Sequence, residues 1–389
     1  MTASRFVGVR SRVTTRLRQD WLLLVYLGSV VLVTFQFGGR GAANNIKIFR
    51  WSFYHLLHGQ DIYQQYPSLY YDVFKYSPSW ALLFAPFALP PPAIGFFLWD
   101  LCAALLLYYA VQRLLPVPRA RLALGIVYLE FMFAMQHASN TNTVVVGLMI
   151  LAFVALEEQR QGLAAGCIAI GALMKIYPLA TLTVGLFHRR RARLGLLVIG
   201  ALGALIALPL IVTSPAELLD QWRSWGRVLS VDTLQRNESV MSLLYRWFAL
   251  DWPNWPVQLA GVAVTVAPLA VRRERWTDWH FRRLFLSSLL LFSFLFNHQA
   301  ERPSAVVGFT GVALWYAVSP HTPPRSLLMA LAFILGPVLA SGVVPWKLQL
   351  SVLAPLQLTT IACLAVWVLV QIELLWRRDV DRPGVAPAA

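Results

Sequence analysis

The chain has 389 residues, 58% hydrophobic and only 13% charged, with a mean hydropathy of +0.59. A soluble domain of that size has no interior large enough to hide so much apolar surface, so lipid must be the solvent for most of it. The formal charge of +15 is carried mainly by arginine clusters flanking apolar runs (5–18, 113–121, 189–193, 272–283, 377–382), the pattern of cytoplasmic membrane loops, which excludes nucleic acid as the expected partner.

Read in chain order, the basic segment 1–20 starts inside and Trp21–Gly38 is a retained first span rather than a cleaved signal. A long external loop, 39–92, follows. Within it Ile46–His58 sets Phe49, Phe53, Leu56 and Leu57 on one helical face, with Asn44 or Asn45 as N-cap. That is an amphipathic helix lying on the membrane surface, and Ser77–Leu89, closed by Pro90 to Pro92, is a second. Ala93–Arg113 returns inward, Leu122–Met135 goes out to the polar QHASNTNT loop, and Val144–Leu156 comes back.

Gly162–Phe187 is flanked by cytoplasmic-looking residues at both ends and holds Lys175-Ile176-Tyr177-Pro178 in its middle. One crossing would strand the following HRRRAR outside, so the stretch reads as two short helices. Each has about 12 residues, or roughly 18 Å against a roughly 30 Å hydrocarbon core, and such a buried tip needs protein or a wet cavity around it.

Leu194–Val212 leads to a second external loop, 213–255, which includes the short apolar helix Ser239–Leu250. Val257–Val271, Leu284–Asn297, Ser304–Val318, Leu327–Val344 and Val352–Leu375 then alternate to an internal tail, 376–389. The expected fold is a single all-α membrane domain with about twelve crossings, both termini inside, and two interfacial helices in the first external loop. Cys102, Cys167 and Cys363 all fall in apolar runs and read as small core residues, with no disulfide or metal spacing.

With this threading the unusual polar residues share one face. Asp61 and Asp72 are the only acids of the first external loop and flank Tyr63, Tyr66, Tyr70, Tyr71 and Tyr76. Either acid has the chemistry of a general base or a cation ligand; as plain structure, either caps a turn. Lys175 stands inside an apolar stretch, where a cation costs at least about 2.5 kcal/mol unless paired or functional. A phosphate head group would offset that cost, as would snorkelling.

Arg236-Asn237-Glu238 and Asn297-His298-Gln299-Ala300-Glu301-Arg302 sit where external loops meet helices. Arg302, Arg236 and Lys75 suit phosphate oxygens, His298 suits a phosphate or sugar, and Glu301 suits orienting either; ordinary loop ion pairing uses the same residues. Asn142 reads chiefly as a helix cap, with sugar binding as the alternative. The chain has no Walker loop, Rossmann glycine fingerprint, HExxH or GxSxG, which favours a lipid-borne donor over a nucleotide sugar.

The stretch NNIKIFRWSFYHLLHGQDIYQQYP followed by FKYSPSWALLFAPFALPP resembles glycosyltransferase family 87, within the GT-C class of integral-membrane glycosyltransferases. NTNTVVVGLMILAF resembles that family's asparagine-led span, ALMKIYPLA its lysine-proline hairpin, and FNHQAERPS its histidine-containing external motif, so the likeness runs from Asn44 to Arg302. It implies inverting transfer of a sugar, typically mannose, from a polyprenyl-phosphate carrier to a glycan or glycolipid acceptor outside the cell membrane. It implies no cofactor, with a divalent metal left open.

The family's usual catalytic aspartate falls at Asn45, and an amide is no base. Asp72, next to KYSP, is the preferred substitute and Asp61 the other. Tyr76 joins Asn45, Lys75, Asn142, Lys175, Arg236, His298, Glu301 and Arg302 as expected substrate contacts. The competing readings are a lipid-linked sugar transporter or flippase, which calls for midplane polar residues or an internal repeat, and a catalytically altered homologue acting as a partner subunit.

Overall fold

A computed structural model of the chain describes residues 20–37, 44–138, 141–232, 238–340 and 344–376. Among these residues the regular structure is entirely helical. Helix α1, Trp21–Phe37, precedes α2, Asn44–Leu57; two short helices, α3 Pro78–Leu83 and α4 Ala85–Ala88, lead to α5, Pro92–Leu114. Then come α6, Val117–Ala138, α7, Asn142–Glu157, and α8, Gln161–Met174, with the 3-10 segment Tyr177–Phe187 beyond. The remainder is α9 Arg191–Ala207, α10 Pro215–Asp232, α11 Val240–Phe248, α12 Asn254–Val271, α13 Trp279–Leu295, α14 Ala305–Val318, α15 Pro323–Phe333 and α16 Leu358–Trp376.

Four stretches are long and apolar enough to cross a membrane by themselves: Pro92–Leu114, Arg191–Ile211, Asn254–Val271 and Ser351–Trp376. Shorter apolar helices include α1, α7 and α8. Large apolar side chains are left outside the packed core, with Phe35 89%, Leu196 70%, Ile199 68% and Ile211 72% exposed. Such a surface is stable only against hydrocarbon, which makes this a membrane protein. The centre of the bundle is formed by α13 and α14 with α6, α7 and α16, and it buries Phe131, Phe153, Phe285, Phe294, Phe309 and Trp315. Ser287 inside it donates to the Gly311 carbonyl at 2.7 Å, and Tyr26 of α1 donates to the Leu124 carbonyl at 2.8 Å.

The expected hairpin is present. Gln161 at the start of α8 donates to the Arg190 carbonyl at 3.1 Å, and His188 lies 3.7 Å from Glu157, so both ends of 161–187 meet at the arginine-rich end of the bundle. Lys175 has extended backbone and turns the chain between α8 and the 3-10 segment. Pro178 folds back so closely that a Cβ on Gly171 would lie 3.0 Å from its ring. The first-loop helices also form where hydrophobic spacing puts them.

Three local expectations change. Asn44 accepts from the Tyr71 amide at 3.1 Å, so its side chain ties the helix start to the loop. Cys102 is exposed on α5, while Cys167 and Cys363 are buried as expected. The last two expected spans are not smooth: π turns at Ile334–Val338 and Gln349–Leu353, with Pro337 and Pro355 nearby, and left-handed Gln357 (φ 55°) interrupt them. Proline removes the donor and crowds the preceding turn, which gives the physical cause.

Helix α4 is seated on α5 through Gly95, where a Cβ would come within 2.1 Å of the Phe87 carbonyl oxygen. Gly95→Ala should therefore lower the thermal midpoint in detergent, with a cost of about 1–3 kcal/mol. Gly166→Ala, where nothing lies within 4 Å, should hold or raise that midpoint.

Candidate active site

A cavity with about 360 Å³ of solvent-holding volume opens where the first loop, the hairpin tip, α10, α12 and the 297–301 loop converge. Its polar lining includes Asn45, Asp72, Lys75, Tyr76, Asn142, Lys175, His298 and Glu301. Its apolar lining includes Phe49, Met174, Ile176, Leu229, Phe292 and Phe296.

The first loop enters this cavity because its backbone is held from several sides. Tyr63 donates to the Tyr76 carbonyl at 2.7 Å, and the Trp225 indole to that of Lys75 at 3.0 Å. Ser77, the N-cap of α3, donates to the Leu173 carbonyl at 2.8 Å, two residues before Lys175. The KYSP turn and the hairpin tip are thus fixed in mutual register. Asp72 accepts from the Val73 amide at 2.8 Å and lies 3.6 Å from the Lys75 ammonium, a partly exposed pair. The ammonium groups of Lys75 and Lys175 and the carboxylates of Asp72 and Glu301 thus line one cavity.

Tyr76 packs edge-on to Phe49, with centroids 5.0 Å apart, and accepts from Thr141 at 3.2 Å, leaving its own proton to donate. Burial pushes this phenol up, and the negative charges of Glu301 and Asp72 add to the effect, so Tyr76 is a neutral donor at physiological pH. Asn142 is not a cap; its amide donates to Ser304 at 3.2 Å and ties α7 to the start of α14. The Gln258 amide reaches both the Phe296 carbonyl and His298 Nδ1 at 3.1 Å. As Gln258 is placed, this assigns the neutral ring proton to Nε2.

Two expected contacts stand elsewhere. Asp61 lies outside the cavity: its carboxylate accepts from Tyr63 N at 3.0 Å and from Ser224 at 3.1 Å, closing a turn and pinning the loop to α10. Arg302 faces away and grips Glu130 through two bonds of 2.7 and 2.9 Å. Arg236 lies outside the described residues.

Trp225, Gln258 and Glu130 were not singled out from the sequence. The first two are ordinary loop-flanking residues and gave no signal. Glu130 did give one, an acid within the apolar YLEFMF run, and buried Asp100 in FLWDLC is another. Among the described residues no group of three or more His, Cys, Asp or Glu is arranged to hold a metal ion.

The crevice of this helical membrane protein combines two ammonium groups, two carboxylates and apolar side chains. The model of glycosyltransferase family 87 matches residues 74–297, more than half of the chain, and the chain belongs to that family. It is therefore a glycosyltransferase. The match takes in Lys75, Tyr76, Asn142, Lys175 and Asn297, begins two residues after Asp72, and leaves out Asn45, His298 and Glu301. A search for curated relatives found no match.

Glu238, beside this site, accepts from Thr360 at 3.1 Å while its backbone amide donates to Ala300 at 2.7 Å. Burial pushes its carboxyl above the usual 4.5, with the Arg302 charge opposing. A raised folded-state value means stability that is present below 4.5 and lost as pH rises through the raised value. Thermal midpoints of Glu238→Gln and wild type, measured across this range, should diverge in favour of the variant as pH rises.

Proposed function

We propose that this glycosyltransferase moves a sugar, mannose being the first candidate, from a polyprenyl-phosphate carrier to a hydroxyl of a glycan or glycolipid acceptor at the extracytoplasmic face of the cell membrane. The observation that carries the reading is the shared cavity of Lys175, Lys75 and Asp72 beside the apolar wall of Phe292, Phe296 and Leu229. The cations suit the donor phosphate, whose charge grows as the glycosidic bond breaks, and the wall suits the first isoprene units. The acceptor oxygen attacks the anomeric carbon from the side opposite the phosphate. Its proton passes to the Asp72 carboxylate, and polyprenyl phosphate leaves. A single displacement of this kind inverts the anomeric centre.

Asn45 lines the same cavity and supplies an amide that can hydrogen-bond a sugar hydroxyl but take no proton. Tyr76 is the neutral donor for the sugar, His298 a hydrogen-bonding side chain beside it, and Glu301 the second acid of the cavity. The topology we propose has about twelve crossings, with the arginine-rich end of the hairpin inside and the cavity outside.

Transfer assayed with radiolabelled polyprenyl-phosphate-mannose and wild-type, Lys175→Ala, Asp72→Asn and Asp61→Asn proteins tests this reading. Lys175→Ala should lose donor binding. Asp72→Asn should lose turnover by about a hundredfold or more while donor KM holds. Asp61→Asn should stay within about tenfold of wild type. Full turnover by Asp72→Asn would remove Asp72 as the base, and full donor binding by Lys175→Ala would remove the phosphate assignment.

A further inference from the structure

The 297–302 loop changes sides in one step. Glu301 lines the active cavity, while the next side chain, Arg302, leaves it for a second, smaller cavity of about 150 Å³ between α6 and the broken segments before α16. There Arg302 is received by helix α6. Glu130, 1% exposed, accepts both guanidinium bonds, at 2.7 and 2.9 Å, and Phe133, one turn on, presents its ring 4.6 Å from the guanidinium carbon. The pair joins residues 172 apart in the chain.

A carboxylate and a guanidinium buried together are held by charge and by fork geometry, and removing either partner typically costs about 3–5 kcal/mol. Other ties on the loop include neutral ones: Ala300 to Asn297 at 3.0 Å, Glu238 N to Ala300 at 2.7 Å, Asn142 to Ser304 at 3.2 Å, and Gln258 to His298 Nδ1 at 3.1 Å. Neutral bonds are individually worth about 1 kcal/mol. The ion pair is thus a stronger anchor than any one of these for the segment that carries His298 and Glu301.

We propose that Glu130 is a positioning residue for sugar transfer: by clamping Arg302 it fixes the height and direction of the 297–302 loop, and with them His298 and Glu301 at the cavity wall. This rests on the proposed function for its consequence in turnover, but the geometric claim stands apart from it. Arg302 is correspondingly a strut, and its charge is answered inside the protein before any substrate arrives.

The experiment uses the full chain in detergent or nanodiscs as wild type, Glu130→Gln and Arg302→Lys. Two quantities are read: transfer from polyprenyl-phosphate-mannose, and the rate at which diethylpyrocarbonate modifies His298, followed by peptide mass spectrometry. His188, 9% exposed at the far end of the hairpin, serves as the internal reference. In Glu130→Gln, kcat should fall about tenfold or more while donor KM changes less than about threefold. His298 should also be modified at least about threefold faster, with His188 unchanged.

Arg302→Lys keeps the charge but loses the fork and should fall between the two, and it carries the test if Glu130→Gln does not fold. Unchanged His298 reactivity in a folded variant overturns the proposal. So does a parallel rise at His188, which marks general loosening. If wild type transfers no sugar, the functional reading fails by itself, and the His298 rates still decide the positioning claim.

Discussion

The arrangement depends on a hairpin too short to cross a bilayer. Its ends are drawn together by Gln161 on the Arg190 carbonyl and by the approach of His188 to Glu157, so its tip stops inside the bundle. Lys175 at that tip sits where an ammonium group is costly in lipid. The stretch is tolerable only with polar company, and the bundle supplies it by bringing the first loop, the 297–301 loop and α10 over the same spot. The cavity is the volume left between the tip and the elements that cover it.

Register follows from this constraint. Ser77 bonds the carbonyl of Leu173, so the lysine of the KYSP turn and the lysine of the hairpin are placed by one shared contact. Tyr63 and Trp225 hold the adjacent carbonyls, and Asp72 is carried in with them. The charges divide by the same logic. Lys175 and Lys75 line the cavity, whereas Arg302 is matched by Glu130 and directed elsewhere. A cation already gripped by two short bonds to a buried carboxylate is poorly placed to answer an anion in the cavity.

The features legible in the sequence were those set by local pattern and by lipid as solvent. Apolar periodicity located the helix Asn44–Leu57. Charge at both ends of Gly162–Phe187, with a lysine and a proline between, was enough to predict that the chain doubles back there. Helix smoothness near the C-terminal end was misjudged, because composition registers Pro337 and Pro355 as residues of an apolar run and not as missing donors.

Of the expected contacts, Asn45, Asp72, Lys75, Tyr76, Asn142, Lys175, His298 and Glu301 share one cavity, and the sequence could nominate them because polar groups on an apolar chain are conspicuous. It preferred Asp72 to Asp61 only for its place next to KYSP; the bond from Ser224 of α10 to Asp61, which ties that acid to a helix, was not legible there. Nor could it tell a substrate-facing arginine from a structural one. That was decided by Glu130, 172 positions away, because the direction of a side chain is set by the partner that packing brings to it. The sequence by itself determined the solvent, the helices and the list of polar residues; only the tertiary structure decided which of them face each other, since that pairing is a property of distance in space.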